Sequence, residues 1–569
     1  MTTINVNVEG RIISRDRPAV AEVNVDLCVN CGICRRYCPM EAISEYQKDI
    51  CRACPDCAPG KPVFLDDDSK AYAPKHACSL ACPLGTIPEG YVNLIAEGKL
   101  DRAYDLVTEL NPLPILCAMV CNHPCEDDCK RGLLRDEPVA IRALKRYVLE
   151  NVAPKPLKYN RQHEKKIAII GAGPAGLTAA SDLAKKGYIV KIFESKAEAG
   201  GMARHAIPDF RIDKDKMDEE IQRIIDAGVE IEYNARIGNN FSELPDGYDA
   251  ILIAAGAAKG AVLPIPGANC YNVYTAVDLM LHVNGKQHIE LGKKAVVIGG
   301  GSVAMDAART LKRLGLDVTC ACLESGGEVP APAWEIEEAR EEGVELIEGV
   351  SPQSINADLF NMTGVTFKKV TGIETTENGG LKPVLDDNSA FTIDCDTVIF
   401  AVGQKPLINT IIAAAQLETL PNGRLSIDPE TLATSVPNIF VAGDTIEARG
   451  SVISAMASGR KAALSIDNYL QERVLYDRAA DEREPKLGDI RYKIYPATML
   501  ERLDPEPVPK LRSRDTFEQV EGVFDDEAAA REARRCMKCG YSGVDPEQCI
   551  GCGVCVEMCP EQAITLKKI

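Results

Sequence analysis

Residues 166–195 read KIAIIGAGPAGLTAASDLAKKGYIVKIFES, and this stretch decides the fold. An apolar run, a Gly-rich turn, a helix of small residues and a second apolar run follow the strand–turn–helix–strand order of a dinucleotide-binding unit. Gly171 permits the tight turn, Gly173 lets the backbone approach a pyrophosphate, and Gly176 lets the helix pack on the sheet. The helix N-terminus then faces the phosphate. Glu194 ends the next strand, where a carboxylate accepts both ribose hydroxyls. The unit recurs at residues 293–325, KKAVVIGGGSVAMDAARTLKRLGLDVTCACLES, with Gly299, Gly301 and Ala304 at the three fingerprint positions. Its next strand ends at Glu324, which accepts from the 2′-hydroxyl of NAD and repels the 2′-phosphate of NADP. NAD(H) is therefore the expected coenzyme of the second site.

The two ends of the chain carry a different chemistry. Cys28, Cys31, Cys34 and Cys38 precede Pro39, and Cys549, Cys552, Cys555 and Cys559 precede Pro560. Both runs have the C-x2-C-x2-C-x3-C-P spacing in which three thiolates bind one [4Fe–4S] cube and the fourth binds a neighbouring cluster. Cys51, Cys54, Cys57, Cys78, Cys82, Cys117, Cys121, Cys125, Cys129, Cys536 and Cys539 are further candidate ligands. Cys536 and Cys539 precede Cys549 by few residues, so they are expected to partner the C-terminal run. Four or five [4Fe–4S] clusters are expected. Zinc is disfavoured, because closed zinc sites take two separated pairs, often with His, and the chain has six His. Cys270, Cys320, Cys322 and Cys395 read as buried structural thiols.

Composition excludes several classes. A net charge of −19 disfavours nucleic acid and acidic lipid surfaces. No apolar run reaches about 18 residues, so no membrane span is expected. Without a secretory signal, 23 cysteines point to metal rather than disulfides and to a cytoplasmic protein. The expected order is a ferredoxin-like module (1–60), a helical iron–sulfur domain (61–160) and the first part of an FAD domain (161–285). An inserted NAD(H) domain (286–394), the second part of the FAD domain (395–470), an extended strap (471–530) and a C-terminal ferredoxin-like module (531–569) follow. The fold class is thus multidomain α/β, with one Rossmann-like domain inserted in another and iron–sulfur modules outside both.

Several motifs in order carry a resemblance over about residues 75–470: CSLACPLGTIPEGYVNLIAEG, VCNHPCEDDCKRG, DEPVAIRALKRY, GAGPAGL, GGMARHAIPDFRIDK, LPIPGAN, GGGSVAMDAART, VIFAVGQKP and FVAGDT. The chain resembles the glutamate synthase small-subunit family of FAD/NAD(P) oxidoreductases. It is also similar to the flavin half of dihydropyrimidine dehydrogenase and to the large subunit of bifurcating NADH-dependent ferredoxin:NADP oxidoreductase. The resemblance implies FAD in the first site, with Gly443 and Asp444 at the ribityl chain. Pro174, Ala175, Gly201, Met202, Arg211, Ala255, Gly256 and Ser451 are further expected contacts, as are Ser302, Val303, Asp306 and Gly403. NADPH-preferring relatives carry arginines where this chain has Leu323 and Glu324. In the helical domain the resemblance implies that Cys78 and Cys129 share a cluster with two of Cys51, Cys54 and Cys57. Cys82, Cys121 and Cys125 would form another, with Cys117 a candidate fourth ligand in place of a Gln or Glu.

Together these features imply an anaerobic iron–sulfur flavoprotein that passes hydride from NADH to FAD and single electrons onward through the clusters. The acceptor would be ferredoxin or a partner redox subunit of a hetero-oligomeric complex, and the direction is reversible. The alternatives are an electron-bifurcating subunit and a glutamate synthase small subunit. Hydride transfer needs no side-chain acid, base or nucleophile, so no catalytic residue is expected.

Overall fold

The structure, a computed structural model, describes residues 78–134, 136–238, 245–358, 361–375, 381–420, 423–446, 450–473, 501–504 and 516–544, with shorter pieces at 3–8, 11–16, 19–23, 43–47, 486–487, 555–556, 559 and 562–568. The chain forms two compact units. One comprises residues 1–155, 477–506 and 523–569, the other residues 156–476 and 507–522. The strap expected over 471–530 is thus divided between them.

The nucleotide unit holds two open parallel sheets. The first runs Ile439–Val441, Ala250–Ile253, Lys166–Ile170, Ile189–Phe193, Glu230–Glu232. Its inner strands are near-continuous apolar runs because helices cover both faces of a parallel sheet. Ala168, Ile170, Ile251, Ile253 and Val441 form its core with Ile408 and Ile411. The second sheet runs Val273–Thr275, Thr397–Phe400, Lys294–Ile298, Asp317–Ala321, Glu345–Ile347.

That order corrects two expected boundaries. The strand TVIF was expected to resume the first domain after residue 394, and the inserted domain to begin at 286. Instead Thr397–Phe400 lies in the middle of the second sheet, and Val273–Thr275 forms its edge. A four-residue buried apolar strand requires two strand neighbours, and sequence alone does not say in which sheet. The chain returns to the first lobe beyond the antiparallel pair of Lys259–Gly260 and Gln404–Lys405. The four strands Val350–Asp358, Asn361–Thr375, Leu381–Leu385 and Phe391–Ile393 form a separate antiparallel sheet.

The other unit combines helices with terminal strands. Pro88–Ala96, Leu100–Glu109, Pro114–Val120 and Ile141–Asn151 are its longer N-terminal helices. Proline at the first turn begins two of them, where its missing N–H costs nothing. Ile564–Lys568 pairs antiparallel with Ala19–Val23, and Gly540–Val544 with Ile43–Gln47. Ala21, Cys555 and Ile564 make a small shared core. The two ferredoxin-like segments, expected as separate modules, therefore belong to one body through their flanking strands. The pairing joins residues at opposite ends of the sequence, which no local pattern announces.

A buried charge cluster braces the second nucleotide lobe. Arg309 and Arg313 both bind Glu342, and their guanidinium groups lie 4.9 and 3.8 Å from the Phe210 ring centroid. Burial alone would raise the Glu342 pKa, but the hydrogen bonds from Arg313 and Arg309 outweigh it and hold the carboxyl below its ordinary value. Its stabilisation is therefore fully present above the unfolded carboxylate pKa of about 4.3 and is lost as pH falls through the lower folded value. Glu342→Gln should lower the thermal midpoint at pH 7, since unpairing buried charges costs about 3–5 kcal/mol. The difference between variant and parent should shrink towards pH 3. Circular dichroism melts across that range give the answer, and a pH-independent difference would refute the assignment.

Candidate functional site

The first Gly-rich turn is fixed by close backbone approach. A Cβ on Gly176 would lie 2.0 Å from the Gly171 carbonyl oxygen, and one on Gly171 (φ +107°) 2.4 Å from that of Ala254. Only glycine fits there. Gly173 caps the helix Pro174–Lys185, and a Cβ there would meet only the Gly201 Cα at 3.8 Å. Glu194 is buried; its carboxylate accepts from the Ala172 and Lys196 N–H groups, each at 2.8 Å, and from Ser195 Oγ at 3.1 Å. It ties the strand end to the turn.

Four other segments converge on this turn. Gly201, which starts the short helix containing Met202, lies against Gly173. Ala255 lies against Gly171, and the Gly256 N–H donates to Thr445 Oγ1 at 2.8 Å. Gly443 packs beside Ala175. Burial raises the pKa of Asp444, which lies against Gly450. Ser451 caps the helix Val452–Leu470 by accepting from the Ser454 N–H. The residues expected around a flavin dinucleotide, Arg211 excepted, are thus contributed by one lobe.

Arg211 goes to the second lobe. It donates to Asp306 Oδ1 at 2.7 Å and pairs with Glu335 at 2.9 Å, its guanidinium 5.6 Å from the Trp334 ring centroid. The charges of Arg211 and Asp306, both expected to meet cofactor, satisfy one another. Burial raises the Glu335 pKa, and Arg211 and Ser302, the first residue of the helix Ser302–Arg313, work against that rise. Trp334 and Glu335 had no sequence signal, because their role is a contact across the lobe.

At the second turn, a Cβ on Gly299 (φ +144°) would lie 2.4 Å from the Ala401 carbonyl oxygen, whereas one on Gly301 meets nothing within 4 Å. Val303 is exposed beside it, and the Gly403 carbonyl accepts from the Ala261 N–H. A Cβ built on Gly300 would lie 3.2 Å from Glu324 Oε2, so that carboxylate rests against the turn. Cys320, Cys322 and Cys395 are buried and Cys270 is half-buried; burial pushes the Cys322 and Cys395 thiols each up to about 12.

The other unit gathers two groups of thiols. Cys82, Cys117, Cys121 and Cys125 form one. Cys121 and Lys145 bond Cys117, the lysine at 2.9 Å, and together they hold its thiol below the ordinary range. Burial alone would lower Lys145, but Cys117 and Cys121 outweigh it and raise its pKa. Lys145 is thus a partner of the Cys117 thiol. The second group is Cys78, Cys129, Cys536 and Cys539, which line a cavity of about 30 Å³ with Glu89, Lys130 and Arg131. Burial raises Cys78 and Cys539 and pushes Cys536 up to about 12, with Glu89 adding to each. Tyr91 is fully buried within electrostatic reach of Cys78, Cys82, Cys117 and Cys125.

Cys536 and Cys539 thus stand around one cavity with Cys78 and Cys129; the partners expected for each pair, Cys51, Cys54 and Cys57 for the one and Cys549 and Cys552 for the other, lie outside the described residues. Among the described residues no three His, Cys, Asp or Glu side chains converge on a single-ion position. Cys78, Cys129, Cys536 and Cys539 line a cavity instead of meeting at a point. Cys555 is buried and Cys559 half-buried. Cys28, Cys31, Cys34, Cys38, Cys51, Cys54, Cys57, Cys549 and Cys552 lie outside the described residues.

The two turns give a paired test. Gly301→Ala should fold, costing no more than about 1 kcal/mol at the helix cap, yet impair reduction by the nicotinamide coenzyme. Gly299→Ala should destabilise the lobe itself. Thermal midpoints and single-turnover flavin bleaching separate the two; a Gly301→Ala protein with unchanged coenzyme response would remove Gly301 from the site.

Comparison with known proteins follows the same division. The family described as pyridine nucleotide-disulphide oxidoreductase matches residues 165–459. Dihydropyrimidine dehydrogenase domain II, 4Fe-4S cluster, matches 71–156, and the 4Fe-4S binding domain matches 21–44 and 543–565. The chain is 33% identical over 505 residues to the NADP(+)-dependent formate dehydrogenase subunit beta of Moorella thermoacetica, covering 82% of this chain and 71% of the relative. It is 30% identical to the NADPH-Fe(3+) oxidoreductase subunit beta of Geobacter sulfurreducens, covering 94% and 85%. It is 34% identical to the NAD-dependent dihydropyrimidine dehydrogenase subunit PreT of Salmonella typhimurium, covering 69% and 91%. Among the described residues no helix is long and apolar enough to cross a membrane.

Proposed function

Because this chain belongs to the pyridine nucleotide-disulphide oxidoreductase family, joined to 4Fe-4S domains, we propose that it is the NADH-oxidising input subunit of a larger redox complex. Its electrons would pass to a partner subunit or to ferredoxin. The family supports the coarser statement outright: the chain is an oxidoreductase of the iron–sulfur flavoprotein type. The names of its relatives include both NADP-dependent and NAD-dependent enzymes, so the choice of coenzyme rests on this chain's own residues.

When bound, flavin and nicotinamide supply hydride transfer and the clusters supply one-electron conduction. The chain's residues hold and orient. At the first site, the open face of Gly173 and the start of the helix Pro174–Lys185 fit a pyrophosphate. At the second, Gly301 leaves the same space before the helix Ser302–Arg313. The thiol groups offer the donors an iron–sulfur cluster requires, with Lys130, Arg131 and Lys145 nearby to offset negative charge.

The observation that carries the NADH reading is the carboxylate of Glu324 lying against the second turn. Glu348 lies close enough that both acids raise the Cys322 pKa after burial, and Arg340 is paired with Glu348 at 3.2 Å. A 2′-phosphate would meet the negative charge of Glu324 there; a 2′-hydroxyl would meet an acceptor. NADH should therefore give a higher kcat/KM than NADPH in viologen reduction. Glu324→Arg should narrow the preference by about ten- to hundred-fold, the worth of a hydrogen bond to a charged group, about 1.5–3 kcal/mol. Equal rates with both coenzymes in the unmodified protein would refute the assignment.

A further inference from the structure

We propose that Cys78, Cys129, Cys536 and Cys539 together hold one [4Fe–4S] cluster, so that the two ends of the chain each supply half of its ligands. The assignment rests on the reading of the chain as an iron–sulfur flavoprotein. Its carrying observation is the cavity these four side chains line, enclosed by Pro88, Val92, Val139, Ile141 and Met537. Lys130 and Arg131 bring two positive charges to the same wall against the single carboxyl of Glu89, a balance that suits a thiolate-rich site. Cys536-x2-Cys539 is a pair spaced to reach one cube, and Cys78 and Cys129 are the thiols of the helical segment not grouped with Cys117.

The residues just before Cys536 are locked in place by buried charge. Arg535 and Glu532 are both 0% exposed and pair at 2.7 Å. Arg535 also donates to the Pro138 carbonyl at 3.1 Å and the Glu137 carbonyl at 2.7 Å. Its own carbonyl accepts from Arg131 at 2.9 Å, and Arg131 grips Asp136 with two bonds of 2.6 Å. Glu532 accepts from the Ala140 and Leu503 N–H groups at 2.9 and 2.8 Å. Buried charges add little net stability, but an alternative seating that unpaired them would cost several kcal/mol, about 3–5 for a single pair. The lock therefore selects one position for the C-terminal pair: beside Cys78 and Cys129. Arg131 serves both, lining the cavity and holding the lock.

The test counts iron and asks whether losses are shared. In the anaerobically purified full chain, Cys78→Ser and Cys536→Ser should each remove about four iron atoms, one cube, while FAD content stays unchanged. The Cys78→Ser/Cys536→Ser double variant should lose no more than either single variant. Combining Cys536→Ser with Cys552→Ser should lose about twice as much. Additive loss in the Cys78/Cys536 double variant would overturn the assignment, as would zinc in place of the missing iron. If serine retains the cluster, Cys78→Ser and Cys539→Ser should alter the same electron paramagnetic resonance signal of the reduced protein; changes in different signals would overturn it. If the variants fail to fold, the unmodified protein decides. Stepwise oxidative iron loss should open Cys78, Cys129, Cys536 and Cys539 to alkylation together. Release of Cys536 and Cys539 in step with Cys549 and Cys552 would sink the proposal. Absence of iron from the unmodified protein would instead defeat the functional reading on which this one rests.

Discussion

A charge taken out of water must find its partner, and that constraint organises both units of this protein. Arg535 and Glu532 have no exposure, and they tie the C-terminal helix Asp526–Ala533 to the segment around residues 131–140 and to Leu503. In the nucleotide unit Arg309 and Arg313 close on Glu342, and Arg211 closes on Asp306 and Glu335. Such pairs compete poorly with hydrophobic packing as sources of stability, but they discriminate sharply between arrangements. Here the bonds from Arg535 and Glu532 to residues 137–140, and the pairs made by Arg211, Arg309 and Arg313, join residues far apart in the chain, so they settle which segments become neighbours.

The consequence for electron flow concerns the ends of the chain. The strand pairs 19–23 with 564–568 and 43–47 with 540–544 put the sequence flanking both ferredoxin-like runs into one unit. The cavity lined by Cys78, Cys129, Cys536 and Cys539 belongs to the same unit. The C-terminal segment thus shares strands, buried charges and a thiol-lined cavity with the N-terminal one. Tyr91 adds a local link, since its buried ring lies within reach of thiols from both groups.

The nucleotide unit separates rigid parts from open ones within a few residues. Gly171, Gly176 and Gly299 are held by backbone atoms at distances no side chain tolerates, whereas Gly173 and Gly301 face space. The first set builds the turn and the second leaves room for a ligand. Glu194 directly follows its strand, whereas Glu324, expected at a strand end, stands three residues beyond the end of Asp317–Ala321, and the two differ in what they touch. Glu194 bonds the turn's own backbone, while Glu324 rests against the turn near Glu348.

The sequence by itself determined the two dinucleotide units, their order and the presence of iron–sulfur chemistry. Each of these depends on residues close together: a Gly-rich turn between a strand and a helix, or thiols at fixed short spacings. Local geometry forces such patterns, so they are legible without a fold. Only the tertiary structure decided that Thr397–Phe400 belongs to the second sheet, that Arg211 serves Asp306, and that Cys536 and Cys539 line one cavity with Cys78 and Cys129. A short apolar strand fits either sheet, and an arginine fits any acid. A Cys-x2-Cys pair likewise fits any cluster lacking two ligands. Their partners are chosen by packing and buried charge across the whole chain, information that no window of sequence contains.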